Sequence, residues 1–569
     1  MKGADRLEKK PIQSQGATMT IKKIVHTPSA YRYPLLIKNL LSTPLIYSPD
    51  NEIVYRDLSR YTYRTLYSRI CRLANALKKL GVKEGHTVGV MDVDSHRYLE
   101  CFFAIPMIGA VLHTIHIRLT TEQMVYTINH AEDDLILVNA DLLPLLEPVR
   151  DQLKTVKKIV LMKEGETLPK TAISIDGEYE AMLAQADDQY EFPDFDEEAM
   201  ATTFYTSGTT GNPKGVYYSH RQIVLHTYGL MAALSAYKSQ ASFNSSDVYM
   251  PLTPMFHVHA WGVPYLATLL GTKQVYPGRY EPETILKLIV QEKVTLSHCV
   301  PTILHMLVNA PSIDKADLSG WKVIIGGAAL AKGLCLAAMK KKINLFTAYG
   351  LSETCPLLTA ALLKPHMLSW EMEKQVEIRC KTGLPGPMVN LMVVDPEGHP
   401  IPHDGKSTGE IVVRAPWLTQ GYLKEPEKSE ELWKNGVLHT GDIGYIDKEG
   451  YLQITDRLKD VIKSGGEWIS SLELEDVISQ HPAVSEAAVI GVHDEKWGER
   501  PCAHIILKDE FKGKVSADDM KSFIMKKVAA GALPKYGVPS TIIFVDVIPK
   551  TGVGKINKKN IRSQYAKEP

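Results

Sequence analysis

The sequence predicts an α/β protein made of a large body and a small α+β unit, and three observations carry that expectation. At 569 residues the chain is too long for one compact core, since domains run to about 100–200 residues. From about residue 55 to 350, apolar β-branched runs alternate with longer helical patterns, the signature of helices layered on a mainly parallel sheet. After about residue 380 the texture changes to short strands punctuated by Gly and Pro, an antiparallel pattern.

Taken in order, residues 64–80 read as a helix closed by Gly81, 87–91 as a strand and 97–107 as a helix again. The apolar run 101–112 contains Pro106 and stops at His113. It falls short of the about 18–20 residues that a membrane-crossing helix needs, so it is expected to be a buried element with no integral membrane segment anywhere. Strands follow at 134–138, 158–162 and 201–205. Residues 322–325 run straight into Gly326-Gly327, and 343–346 repeat that plan ahead of Tyr349-Gly350. Gly-rich turns at the carboxyl ends of strands are where open α/β sheets hold ligands. Strands at 443–446 and 451–454 flank Asp447-Lys-Glu-Gly450 as a hairpin. The charged run Asp456-Arg-Leu-Lys-Asp460 follows, either a solvated turn or a linker between domains. The boundary is placed there, near Lys459: 19–458 form the body and 459–569 the small domain. That domain opens helices at Ser470 to Glu473, a capping box, and at Ser516 to Asp519, with strands at 487–491, 503–507 and 541–545.

Basic and acidic residues number 65 each, a net charge of +0, which removes the electrostatic case for a general nucleic-acid or anionic-membrane binder. Seven cysteines without a C-x-x-C pair fit a reducing, cytoplasmic compartment better than a disulfide framework or a zinc site. The basic N-terminus has no apolar stretch behind it and the C-terminal tripeptide is not peroxisomal, so neither end reads as a targeting signal. Residues 1–18, rich in Gly, Gln and Lys, are expected to form a flexible extension.

Chemistry is densest at Tyr205-Thr-Ser-Gly-Thr-Thr-Gly-Asn-Pro-Lys-Gly215. Glycines at 208 and 211 let backbone N–H groups approach an anion, the hydroxyls of Thr206, Ser207, Thr209 and Thr210 can donate to phosphate oxygens, and Lys214 adds a point charge. Pro213 before the lysine, and no Ser or Thr after it, exclude a Walker A loop. A flexible polar loop would explain the composition but not the apolar strand that leads into it. Tyr349 suits stacking on a base or a place in the core equally well. Glu353 could be an exposed helix-start carboxylate, Trp261 a core tryptophan, and the Lys-rich tail around Lys555 a solvated one. His257 and His259 form a His-x-His pair without a third ligand at suitable spacing, so no metal is expected there.

Four motifs in order, the 205–215 loop, Tyr349-Gly-Leu-Ser-Glu353, His439-Thr-Gly-Asp442 and Pro549-Lys-Thr-Gly-Val-Gly-Lys555, resemble the adenylate-forming superfamily over residues 40 to 565 or so. Within it, Pro254-Met-Phe-His-Val-His-Ala-Trp261 and the stretch from Arg457 to Trp468 are most similar to medium- and long-chain fatty-acyl-CoA synthetases. The resemblance implies a large adenylate-forming domain of layered α/β sheets plus a β-barrel-like part, and a small mobile C-terminal lid. It also implies the chemistry: a carboxylate attacks the α-phosphate of ATP, and coenzyme A then displaces AMP.

Site residues follow by the same resemblance. Thr206 and Glu353 are placed at Mg²⁺ and the phosphates, with Lys214 and Lys555 as catalytic cations. The nucleotide and adenylate contacts are Thr206 to Gly211, Lys214, Val258, Gly327, Ala328, Thr347, Ala348, Tyr349, Gly350, Ser352, Asp442 and Arg457, with Lys459, Lys463 and Trp468 from the lid side. His257, Val258 and Trp261 belong to the acyl pocket and its gate, while Lys459, the superfamily's hinge position, serves the CoA step with Lys463, Gly465, Gly466 and Trp468. Ser352 stands where Thr is usual, and Thr347-Ala348 where Gln-Gly is usual, which alters the floor beside the acyl group. Relatives pair through an exchanged N-terminal segment, so a homodimer is implied. Short, branched, thioether-containing or aryl acids are alternative substrates, and transfer to a carrier protein is the other reading.

Overall fold

The computed structural model describes residues 24–165, 170–206, 212–237, 241–464, 467–530, 533, 535–550 and 556–565, with the backbone alone at 467 and 468. Residues up to Pro34 form one unit and those from Leu35 onward another; the architecture below is that of the second.

Two large sheets build the body. In the seven-stranded sheet, Gly177–Glu178, Lys158–Met162, Asp133–Asn139, Thr87–Met91, Val111–Thr114 and Met200–Tyr205 lie side by side in parallel, and Gly215–Ser219 closes one edge antiparallel to Met200–Tyr205. The nine-stranded sheet has a parallel centre, Asn344–Gly350, Lys322–Ile325, Leu296–Cys299, Val248–Leu252, Lys273–Tyr276 and Glu52–Tyr55, with antiparallel strands at both edges. Thr87–Met91, Lys158–Met162 and Lys322–Ile325 are rich in Val and Ile, in keeping with burial on both faces.

Helix His96–Met107 is capped by Ser95, whose hydroxyl accepts from the Tyr98 N–H at 3.3 Å, and all twelve of its residues are buried. The apolar run 101–112 is buried as expected, but it divides between the end of this helix and the start of strand Val111–Thr114. Helix Tyr63–Lys79 follows the same grammar, with Thr62 as its cap, lysines in its last turn and Gly81 at φ +88° just beyond it. No helix among the described residues is long and apolar enough to cross a membrane.

Past residue 385, Asn390–Val394, Gly409–Arg414, Leu438–Ile446 and Leu452–Arg457 form an antiparallel four-stranded sheet, and a Gly383–Leu452 bridge ties it to the body. The predicted hairpin is present with longer arms. The small C-terminal domain is a five-stranded sheet centred on Gly498–Leu507, covered by helices Ser471–Ser479 and Ala517–Ala529. Ser516 and Asp519 complete a reciprocal capping box. At Ser470 only half of the expected box forms: its hydroxyl accepts from the Glu473 N–H and donates to the Thr455 carbonyl at 2.5 Å.

Buried charge joins this domain to the end of the four-stranded sheet. Asp456 accepts from the Ser471 N–H at 2.6 Å and from its hydroxyl at 2.7 Å. Lys558 Nζ donates to the same hydroxyl at 2.6 Å and pairs with Glu475 at 2.7 Å. Four residues on, Arg562 pairs with Asp460 at 2.9 Å. The chain on either side of Lys459 is thus held by one short C-terminal helix, Lys558–Ser563.

Candidate active site

Met200–Tyr205 and Gly215–Ser219 pair antiparallel, which sets the two ends of the hydroxyl-rich segment side by side. Its two ends are stitched together: the Thr206 N–H donates to the Lys214 carbonyl at 3.0 Å, and the Lys214 N–H to the Thr206 hydroxyl at 3.4 Å. Gly215 lies close against that loop's base: a Cβ there would stand 3.1 Å from the Tyr205 ring, a tight contact. That ring is fixed by a 2.8 Å hydrogen bond between its hydroxyl and His130 Nδ1. Ser207, Gly208, Thr209, Thr210 and Gly211 lie outside the described residues, as do Gly465, Gly466, Lys555 and the Trp468 side chain.

The second component comes from the end of Asn344–Gly350. The expectation stopped this strand before Tyr349; it runs on because Leu357–Ala360 folds back and pairs with it. Gly350 makes that close return possible, as a Cβ would meet the Pro356 carbonyl oxygen at 1.7 Å. The turn between them holds Ser352, whose carbonyl accepts from Tyr218 at 2.5 Å, and Glu353. Glu353 Oε1 accepts from the Tyr422 hydroxyl at 2.7 Å. Lys214 Nζ sits 4.3 Å from the centre of the same tyrosine ring. Tyr422 went unnoticed in the sequence, where nothing marks a tyrosine in Gly-Tyr-Leu-Lys as a partner of two charges far away along the chain.

A third group gathers on the four-stranded sheet. Asp442 and Arg457 stand opposite each other in the ladder, and Arg457 Nε pairs with Asp442 Oδ1 at 2.7 Å. Tyr349 donates to the other oxygen at 2.7 Å. Burial, reinforced by the Asp442 carboxylate, holds the Tyr349 phenol well above its ordinary range, so it stays a donor. Asp442 lies in the interior of strand Leu438–Ile446. Gly441, at φ +67°, interrupts the extended backbone just before it.

An apolar cavity opens beside these groups. Val258–Trp261 form one left-handed turn, with φ between 48° and 59° at each residue. Left-handed turns cost L-residues about 1–2 kcal/mol per residue, and at a β-branched valine the conformation is a real outlier. The surroundings hold it: His259 Nε2 meets the Thr202 hydroxyl at 2.7 Å, the Phe256 carbonyl accepts from Thr114 at 2.9 Å, and the Met255 N–H donates to Asp94 at 2.8 Å. His259 is fully enclosed and burial holds its pKa down to about 3, so it is a neutral core residue. The turn instead sends His257, Val258 and Trp261 to the cavity wall, where they face Gly326, Gly327 and Ala348. The indole of Trp261 packs on the His298 ring, centroids 5.0 Å apart, and His298 is fixed by Tyr249 at 2.7 Å and Thr253 at 3.1 Å.

Other predicted positions are placed less centrally. Thr347 turns its hydroxyl to the Lys381 carbonyl, away from the cavity. Ala328 is exposed just past the cavity. Lys459 and Lys463 are exposed, Lys463 in a hairpin where it stands opposite Trp468.

Comparison with known proteins settles the family. The profile of the AMP-binding enzyme family matches residues 47–423, and that of the AMP-binding enzyme C-terminal domain matches 473–555. The chain belongs to the AMP-binding enzymes. It is 39% identical to a long-chain-fatty-acid–CoA ligase of Thermus thermophilus over 90% of this chain and 91% of that protein. It is 38% identical to a 3-methylmercaptopropionyl-CoA ligase of Ruegeria lacuscaerulensis over 94% and 97%. The anthranilate CoA ligase AuaEII, solved with anthranoyl-AMP, superposes with a TM-score of 0.76 at 26% identity, covering 94% and 98%. The adenylate-forming resemblance read from four motifs is the family of the chain, and the large N-terminal and small C-terminal α/β domains are its architecture.

Proposed function

We propose that this AMP-binding enzyme is an acyl-CoA synthetase: a carboxylic acid and ATP give an acyl-adenylate and pyrophosphate, and coenzyme A then gives the thioester and AMP. One observation carries the reading. A single strand end with the turn that follows it, Ala348–Ser352, borders the apolar cavity and also supplies Tyr349, which is bound to the Asp442–Arg457 pair. An acyl chain and a nucleotide would therefore meet there. Medium- to long-chain fatty acids are the favoured substrates, in keeping with the long-chain relative, and a short thioether acid is the alternative that the second relative favours.

Carboxylate and triphosphate are both anions, so the site must supply positive charge where the new bond forms. Lys214 meets that need from the body and Lys555 from the lid. The buried carboxylate of Asp442 suits two ribose hydroxyls, and Tyr349 suits the base. Mg²⁺ takes hard oxygen ligands. Glu353, with Oε2 unpartnered among the described residues, and the Thr206 hydroxyl fit it and would hold it, where it would neutralise phosphate charge. His257, Val258 and Trp261 wall the acyl pocket, the indole shielding a hydrolysable adenylate from water. Rotation of residues 459–569 about Lys459 would remove Lys555 and bring the Lys463–Trp468 hairpin in for thioester formation. A homodimer and a cytoplasmic setting complete the proposal.

The test is a panel of carboxylic acids of increasing length, each assayed for AMP release dependent on both ATP and coenzyme A. A maximum among aliphatic acids supports the reading, and no release with any aliphatic acid refutes it.

A further inference from the structure

We propose that Tyr422 is a positioning residue for the adenylation half-reaction, holding Lys214 and Glu353 apart so that both remain available to phosphate. This rests on the acyl-adenylate reading above. The tyrosine engages the two charges with different parts of itself: its hydroxyl donates to Glu353 Oε1 at 2.7 Å, and its ring lies under the Lys214 ammonium at 4.3 Å. An ammonium and a carboxylate at the two ends of one small ring would otherwise join as a salt bridge, each cancelling the charge that the other needs. With the phenol between them, Glu353 keeps its second oxygen and Lys214 keeps its N–H donors, because a ring face satisfies a cation without taking its hydrogen-bonding directions.

The tyrosine is itself held firmly. It is 8% exposed. Its N–H donates to the Ser429 hydroxyl at 2.9 Å, and the next N–H, of Leu423, donates to the Gly215 carbonyl at 2.8 Å. A bridge to Val216 docks the segment on the strand that leaves the phosphate loop. Three residues earlier, the Thr419 N–H donates to the Glu353 carbonyl at 3.1 Å, and the Thr419 hydroxyl to the Tyr217 carbonyl at 2.8 Å. The 419–423 segment thus laces the loop exit to the Glu353 turn, and Tyr422 is its one side chain between the two charges.

Tyr422→Phe and Tyr422→Leu in the full chain separate the two contacts. Carboxylate-dependent ATP–pyrophosphate exchange reads adenylation, conversion of supplied acyl-adenylate to thioester reads the second step, and calorimetry reads ATP affinity with and without Mg²⁺. Tyr422→Phe should lower kcat of exchange about tenfold, the loss of one hydrogen bond to a charge, with KM for ATP unchanged and thioester formation intact. Tyr422→Leu should in addition weaken ATP binding about tenfold, as the cation loses its ring. Wild-type exchange in Tyr422→Phe, equal losses in both half-reactions, or identical behaviour of the two variants would each overturn the assignment. Should Tyr422→Leu not fold, the split between kcat and KM in Tyr422→Phe decides. Should no acid support exchange even in the wild type, the ligase reading fails on its own. Calorimetry then still decides the role of Tyr422, because Tyr422→Leu must bind ATP about tenfold more weakly than Tyr422→Phe, whose affinity stays at the wild-type value; equal affinities of the two variants refute it.

Discussion

Adding a single methyl group at Gly326 probes whether the Trp261 wall sets the size of the acyl pocket. A Cβ at Gly326 would stand 2.9 Å from Trp261 Cη2, 3.3 Å from Cζ3 and 3.1 Å from the Ala348 carbonyl oxygen. Carbon atoms pack at about 3.5–4.0 Å, so the indole must retreat by roughly 0.6 Å or more. It has little room, being packed on a His298 ring that Tyr249 and Thr253 fix from both nitrogens. Overpacking of this kind costs about 1–3 kcal/mol. The backbone adds nothing, since Gly326 is not among the positive-φ glycines. Gly326→Ala should therefore lower thermal stability modestly and shorten the pocket by about one methyl. One methylene in an apolar pocket is worth about 10–200-fold in kcat/KM. The variant should lose about that factor with the best acid and much less with acids one or two carbons shorter. Rates across an acid series, with a melting curve for each protein, make the test. An unchanged length profile at wild-type stability would mean that Trp261 and Gly326 do not bound the acyl chain.

Three further outcomes are expected. Asp442→Ala leaves Tyr349 and Arg457 without their shared carboxylate. It should raise KM for ATP at least about tenfold, the scale of one charged hydrogen bond; a change under twofold would count against a ribose role. Asp94 is 3% exposed and burial lifts its carboxyl to about 7. The folded protein then holds this proton more tightly than the unfolded chain, so stability falls as pH rises from about 4 to about 7, by up to about 4 kcal/mol. Asp94→Asn, which does not titrate, should gain on the wild type between pH 5 and pH 8 in urea midpoints, and parallel behaviour would refute the shift. Lys459→Pro should adenylate normally and fail at the thioester, while Lys555→Ala should do the reverse, as read by the two half-reactions. Equal loss of both steps in either variant would remove the alternating lid.

Much of the body was legible because its signals are local. The strands at Thr87–Met91, Lys158–Met162 and Lys322–Ile325 have the predicted bounds, as β-branched runs buried on both faces leave little freedom in where a strand starts. Strand Asn344–Gly350 was read too short, since its last residues are extended only through a partner that arrives later in the chain. The same holds for Asp442, which belongs to a strand interior by virtue of its pairing with Arg457.

The chemistry of the residues, their order and hence the family were determined by the sequence alone, because phosphate loops and strand-end turns are built from neighbours along the chain. Which side chains face one another was decided by the tertiary structure. The left-handed turn at Val258–Trp261 has no propensity to announce it, since its cost of about 1–2 kcal/mol per residue is met by contacts with Thr202 and Thr114 on another sheet. Tyr422 joins Glu353 to Lys214 across two distant segments for the same reason. A charge–phenol–charge bridge is a property of packed surfaces, and no run of neighbouring residues encodes it.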